Sequence, residues 1–560
     1  MCMNYTSTLT RSPVRRHLPV LLLSFAAVGT MATTQAPRAA AQAAPRAATK
    51  NGPVQGLSLA SGVRTFRGIP YAAAPVRENR WRAPQPVQNW SGVRMADRFA
   101  DQCMQARVFG DMMFRNAGMS EDCLYLNVWS PANATPSSAL PVLFYIYGGG
   151  WVAGDGSEPR YDGESMAKRG MVVVTLSHRL GIFGYFSHPA LTAESPQHAS
   201  GNYGSLDQAA ALRWVRDNID AFGGDPRKVT IAGESAGSFA VSGLVASPVS
   251  KGLFARAIGE SGAFFGSTLV LHTLAESEQN GVKFAQAVDA PSLAELRAIS
   301  ATALLEASGR RGLPQFLPNI DGYFFPKDPA QIYAAGEQAK VPLLAGWNSA
   351  EVPGRAILPE DPTPERVRAV LAKRFGTRAA EAEKLYPVAT ADDAARSIDD
   401  LASDLFLGYA TWKWLDAHAR TSGQPVYRYM FARPRPATVE AGVTPNLAGG
   451  VSRNGNAPPP PPAKGAVHSA EIEYALGNLA LNPVFAWSGD DRKVSATIQD
   501  YFANFIKSGD PNGPGLPAWP RGDATNGQVQ RIRIDVDTHA EPEPTARYRF
   551  LDQGPVSLSP

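Results

Sequence analysis

From Pro53 onward, short apolar runs alternate with turn signals and longer amphipathic stretches. The runs at Pro141–Tyr147, Met171–Leu176, Lys228–Ala232, Ala255–Gly259, Val341–Gly346 and Pro425–Phe431 are too short for helices and predict buried strands. Leu206–Phe222 differs, because Leu206, Ala209, Ala210, Leu212 and Ile219 recur at helical spacing and Gly223-Gly224-Asp225-Pro226 ends the pattern. A second helix is predicted to start at Thr363-Pro364-Glu365, with Thr363 as cap and Pro364 in the first turn. Its apolar positions are Val367, Val370, Leu371 and Phe375, and Gly376 stops it. Strands alternating with helices argue for an α/β fold with a largely parallel sheet. Residues 44–51 read as a linker, and Pro434–Lys464, with Pro458 to Pro462 in a row, reads as a long surface loop carrying a polyproline stretch.

Composition sets the scale. The chain has 560 residues, 44% hydrophobic and 9% aromatic, enough for a normal core. It shows no internal repeat, so 44–560 is expected to form one large domain with inserted helices and loops. The net charge of +4 is small and scattered, with no basic stripe interleaved with aromatics, which argues against nucleic acid as a partner. At the N-terminus, Arg11, Arg15 and Arg16 precede an apolar stretch, Leu18–Val28, too short to span a bilayer. Ala41-Gln42-Ala43 and Thr34-Gln35-Ala36 both fit a small-residue cleavage site. Residues 1–43 thus read as a signal peptide and short linker, and the protein as exported, periplasmic or secreted from a bacterium. Of three cysteines, Cys2 would leave with the signal. Cys103 and Cys123 remain, either as a disulfide worth about 3 kcal/mol in the chain-entropy model or as two buried thiols. Neither they nor the histidines have metal-ligand spacing, so no metal site is expected.

The chemistry concentrates at Gly233-Glu234-Ser235-Ala236-Gly237, which follows the Lys228–Ala232 strand and precedes a helix-like run of small residues. This is the strand–turn–helix setting of a nucleophile elbow, which holds a serine hydroxyl at the tip of a strained turn. With 51 glycines in the chain, the pattern alone can arise by chance. Its setting adds weight: the Pro141–Tyr147 strand runs into Gly148-Gly149-Gly150-Trp151, and an acid and a histidine follow downstream. The glycine run fits no dinucleotide or P-loop register.

Three further stretches carry a resemblance. Arg67-Gly68-Ile69-Pro70-Tyr71-Ala72 with Trp81-Arg82-Ala83-Pro84-Gln85-Pro86, then Glu121-Asp122-Cys123-Leu124-Tyr125-Leu126-Asn127-Val128, then Gly201 to Gln208 running on to the elbow, closely resemble the type-B carboxylesterase/cholinesterase family. The resemblance implies an α/β-hydrolase fold, a central mostly parallel sheet flanked by helices, with inserted helices and loops forming an active-site gorge. It implies a cofactor-free serine ester hydrolase acting through an acyl-enzyme on a small-molecule ester. By matching motifs, Ser235 is the nucleophile, Glu351 (in Gly346 to Glu351) the acid, and His468 (in Gly465 to Ile472) the base. Ala350 stands where the family has Asp. The backbone N–H groups of Gly149, Gly150 and Ala236 are the implied oxyanion donors, and Glu234 has a near-site electrostatic role.

The chemistry requires these groups. A serine hydroxyl needs a neighbouring imidazole to take its proton, and a carboxylate behind that ring fixes its tautomer. His178 and His188 precede the nucleophile and break the family's order. Ser261, in Gly259-Glu260-Ser261-Gly262-Ala263, lacks the elbow's second glycine and reads as buried structure. Arg80 with Glu121 and Arg179 with Asp207 match the family's structural ion pairs. The loop Met104–Asp122 has no tryptophan to bind a quaternary ammonium but carries Met104, Phe109, Met112, Met113, Phe114 and Met119, which either wall an apolar gorge or pack the loop down. Uncharged or weakly charged acyl esters are therefore expected rather than choline esters. The alternatives are a bulkier ester (a lipid, polyester or toxin side chain), an amide, or a non-catalytic adhesion protein.

Overall fold

The computed structural model describes residues 44–554 apart from 111, 267–268, 447–450, 454–463 and 523–527. The expected signal segment 1–43, with both cleavage sites, and Pro458–Pro462 lie outside these residues.

An 11-stranded sheet dominates the molecule. In chain order its strands are β1 (Leu57–Ser58), β2 (Arg64–Pro70), β3 (Tyr125–Ser130), β4 (Leu140–Ile146), β5 (Val172–Leu176), β6 (Gly224–Glu234), β7 (Arg256–Glu260), β8 (Leu343–Asn348), β9 (Val426–Phe431), β10 (Gln530–Ile534) and β11 (His539–Pro542). Their spatial order is β11-β10-β9-β8-β7-β6-β4-β5-β3-β2-β1. The block from β5 through β10 is parallel, and the strands at both edges are antiparallel.

The unbroken apolar runs of the central strands follow from burial on both faces. In β4, Val142, Phe144 and Ile146 pack into one core cluster with helix Ala236–Ala246, while Leu143 and Tyr145 point into a second with helix Gly489–Ser508. Each expected strand is present within a few residues. The expected helices are Tyr203–Asn218, ended through a 3₁₀ turn by Gly223 at φ 90°, and Pro364–Phe375, where the Thr363 hydroxyl accepts from the Arg366 N–H. The linker expected at 44–51 is wrong. Arg46–Thr49 pairs antiparallel with Gly52–Gln55 across a two-residue turn, burying Ala47 and Thr49. Alternation along Arg46–Thr49 and the Asn51-Gly52 dipeptide, one residue beyond the observed Lys50-Asn51 turn, were the signals of that hairpin. The Pro434–Lys464 stretch likewise contains a hairpin, Val443–Pro445 with Val451–Arg453.

In a parallel sheet the carboxyl ends of neighbouring strands open onto one crevice. Here that rim carries Gly148 beyond β4, Ser235 beyond β6, Ser261 beyond β7 and Glu351 beyond β8.

Candidate active site

β6 ends at Glu234 and helix Ala236–Ala246 begins at once, so Ser235 must make the whole turn alone. It does so at φ 55°, ψ −122°, with its N–H donating to the Glu260 carbonyl at 2.8 Å. A non-glycine residue at positive φ is costly and persists where the surrounding structure overdetermines it. The flanking glycines serve by their bulk. A Cβ on Gly233 would stand 2.6 Å from the Ile146 carbonyl oxygen, and one on Gly237 would stand 2.1 Å from it. Neither glycine has positive φ, so both are required here for their lack of a side chain and not for a left-handed backbone.

His468 Nε2 lies 2.9 Å from Ser235 Oγ, and His468 Nδ1 lies 2.7 Å from Glu351 Oε2. The same segment ties itself to the Glu351 turn, since the His468 N–H donates to the Glu351 carbonyl at 3.0 Å and the Ala350 N–H to the Ala466 carbonyl at 2.8 Å. Ala350 thus contributes its backbone there. The second Glu351 oxygen accepts from the Ser261 hydroxyl at 2.6 Å and the Asn348 N–H at 2.7 Å. The three sequence-predicted residues are therefore together, with Glu351 fully buried and His468 3% exposed. Ser261 is buried as expected, and it also fixes the carboxylate.

Beyond β4 the chain doubles back. Gly149 and Gly150 take φ 113° and 63°, and the Gly149 carbonyl accepts from Val152 and Ala153 at 3.2 and 3.1 Å. The N–H groups of Gly149, Gly150 and Ala236 donate to no other group among the described residues. Gly148, which leads into the turn, lies against the elbow: a Cβ on it would stand 3.0 Å from the Ser235 Cβ.

Glu234 Oε1 stands 3.2 Å from His468 Nε2. Burial pulls the imidazolium down, but the charges of Glu234 and Glu351 outweigh it and push the ring up to about 9. Burial in turn pushes Glu234 up to about 7 against the pull of His468 and Arg160. The pair titrates as a unit. With the shared proton on Glu234, the ring loses the charge that most raises it and becomes a neutral base. Behind them lie Glu260, driven well above the usual carboxylate range by burial and by Glu471, and Glu471, pushed up to about 8 by burial and by Glu234. Asn348 Nδ2 donates to Glu471 at 2.6 Å.

Sequence reading passed over Glu260, Glu471 and Asn348. A signal for Glu260 existed, because the Gly-Glu-Ser of the elbow at the end of β6 recurs at the end of β7. The strands pair in register there, Gly233 with Gly259 and Glu234 with Glu260. The histidines set aside have structural partners. His178 stacks on Tyr147 at 4.6 Å and burial pushes it down to about 4, while His188 caps a helix by accepting from the Ala190 N–H. Arg80–Glu121 and Arg179–Asp207 form bidentate pairs, the first part-buried and the second buried. Cys103 and Cys123 are joined as a disulfide.

The walls near the site are apolar. Five residues, Asp404–Gly408, form a π-helical turn, a rare conformation found mostly at functional sites. Its half-buried Phe406 meets the His468 ring edge-on at 5.3 Å. Trp151 packs on Phe239 at 5.3 Å and Phe264 at 6.0 Å. Among the described residues no group of His, Cys, Asp and Glu is arranged to hold a metal ion.

The carboxylesterase family model matches residues 43–551. The chain belongs to the carboxylesterase family. It is 35% identical to a fumonisin B1 esterase of Sphingopyxis macrogoltabida, with 84% of each chain covered. It is also 35% identical to liver carboxylesterase 1 of Oryctolagus cuniculus, covering 84% of this chain and 86% of that one. Among solved structures, a PNB esterase superposes with a TM-score of 0.73 at 32% identity, covering 90% of this chain and 98% of that one. The fold is thus the α/β-hydrolase fold of these esterases. The protein is a serine carboxylic-ester hydrolase, and no helix among its described residues is long and apolar enough to cross a membrane.

Proposed function

We propose that this carboxylesterase hydrolyses uncharged or weakly charged acyl esters through an acyl-enzyme on Ser235, with His468 as base and Glu351 as its orienting acid. The observation that carries this reading is the unbroken chain Ser235 Oγ–His468 Nε2–His468 Nδ1–Glu351, at 2.9 and 2.7 Å. Ser235 attacks the ester carbonyl as His468 takes its proton. The negative oxygen is received by the free N–H groups of Gly149, Gly150 and Ala236. His468 returns the proton to the leaving alcohol, and water repeats the cycle on the acyl-enzyme to release the acid. Glu351, held by Ser261 and Asn348, stabilises the imidazolium. Glu234 sets the imidazole's charge state.

The substrate class is supported by the lining. Phe406, Trp151 and Phe109 are the large groups beside His468 and Gly150, and they suit an acyl ester better than a charged one. A bulkier ester remains the second reading, since the fumonisin B1 esterase and the mammalian enzyme are equally similar. The pairing of Cys103 with Cys123 supports export, because such bonds persist in oxidising compartments. In this reading 1–43 is the export signal and linker, and 44–560 the catalytic domain.

The test is pre-steady-state hydrolysis of p-nitrophenyl acetate, butyrate and octanoate. We expect a burst of about one equivalent per chain, absent in Ser235→Ala. Turnover by Ser235→Ala at the unmutated rate would refute the assignment.

A further inference from the structure

The loop that presents Gly149 and Gly150 is not self-supporting. Its turn closes internally at 149–153, and the chain then leaves through Gly154 at φ 124°. A Cβ there would stand 2.3 Å from the Tyr147 ring and 2.5 Å from the Gly148 carbonyl oxygen, so the exit lies directly on the entrance. One side chain grips that exit. Gln105 Oε1 accepts from the Gly154 N–H at 2.9 Å, and Gln105 Nε2 donates to the Gly154 carbonyl at 2.9 Å. The side-chain amide thus pairs with both polar groups of one residue, as a neighbouring strand would. Nε2 donates as well to the Cys103 carbonyl at 3.1 Å, and Gln105 is only 6% exposed.

Gln105 belongs to the loop closed by the Cys103–Cys123 bond. Other members of that loop hold the next residues of the same segment. Asn116 Nδ2 donates to Asp155 Oδ1 at 3.2 Å, and Arg115 Nε to the Ser157 carbonyl at 2.6 Å. At its tip, Phe109 Cζ lies 3.9 Å from the place a Cβ would take on Gly150, and the Phe109 carbonyl accepts from Asn446 Nδ2 at 3.1 Å. The disulfide loop is a strap along the glycine loop and the segment that leaves it.

We propose that Gln105 is a positioning residue for the Gly149/Gly150 oxyanion donors, and that the Cys103–Cys123 bond contributes to the rate by anchoring it. The inference rests on the oxyanion reading above. Preorganised donors act where charge develops, so loosening them weakens the transition state and leaves ester binding alone. A misplacement of about 1 Å at a reacting centre costs on the order of a hundredfold.

The test uses Gln105→Met, which keeps side-chain length and loses all three hydrogen bonds, on protein counted by active-site titration. We expect kcat and kcat/KM to fall together by about ten- to a hundredfold, the signature of an interaction made only in the transition state. Affinity for a trifluoromethyl ketone, which forms a tetrahedral adduct on the serine, should fall by the same factor. Cys103→Ala with Cys123→Ala should lower kcat in the same sense, and less when added to Gln105→Met than alone. Unchanged kcat per titrated site in Gln105→Met, or a loss confined to KM, overturns the proposal. If that variant does not fold, reducing the disulfide in the unmutated enzyme decides. A fall in kcat with KM held supports the strap, and unchanged kcat overturns it. Failure of the oxyanion and nucleophile reading would look different, since the unmutated enzyme would then give neither burst nor ketone adduct.

Discussion

Replacing Glu234 by Gln tests the electrostatics of the site most directly. The side chain keeps its size while losing the charge 3.2 Å from His468 Nε2. At an effective dielectric of about 20, a unit charge pair at that distance interacts by about 5 kcal/mol, a ceiling of roughly 4 pKa units. The full ceiling is not reached, because burial already pushes Glu234 up to about 7 and part of its population is neutral. An opposite charge at contact typically raises a pKa by about 1–3 units, so a fall of about 1–2 units in the imidazole is expected. The sign is fixed. Removing the anion destabilises the imidazolium, His468 drops from its raised position near 9, and the neutral base persists to lower pH. The assay is kcat/KM for phenyl acetate by pH-stat from acid to mildly alkaline pH. The acid limb of the variant should shift to lower pH by that amount. An unmoved limb, or one displaced to higher pH, would refute the claim that Glu234 holds the ring's charge state.

Other outcomes follow from the same geometry. Ser261→Ala removes a charge-assisted bond to Glu351 worth about 1.5–3 kcal/mol, so kcat should fall by roughly ten- to a hundredfold with KM little changed; an unaltered kcat would show that the Asn348 N–H suffices. Gly237→Ala forces a Cβ to 2.1 Å from the Ile146 carbonyl oxygen, and thermal unfolding should show a markedly lowered midpoint or no folded protein at all. Phe264→Ala opens the aromatic wall behind Trp151 and Phe239, so the octanoate-to-acetate ratio of kcat/KM should rise; an unchanged ratio would place the acyl chain elsewhere.

Much of the site was legible because its signals are local. The elbow is a steric fact of a few residues, and the strand before it and helix after it are set by apolar spacing. The order Ser235, Glu351, His468 came from motif resemblance, and the structure brings those three side chains together. The hairpin at 46–55 was not legible in this way although Asn51-Gly52 stands beside its turn, because a run rich in Ala and polar residues reads as a linker when alternation is not counted. Ser261 was read correctly as buried, yet its bond to Glu351 spans 90 residues of sequence.

The sequence by itself determined which backbone segments would form, where the chain must turn at Ser235, and which residue types could exchange a proton. These depend on sterics and periodicity within a few residues. Only the tertiary structure decided that Glu234, Glu260 and Glu471 share one buried space, that Gln105 grips Gly154, and that Phe406 meets His468. Such contacts depend on strand register and on what packs from every side. Charge state depends on them too, because a carboxyl titrates according to how much water its neighbours exclude and which charges they bring near.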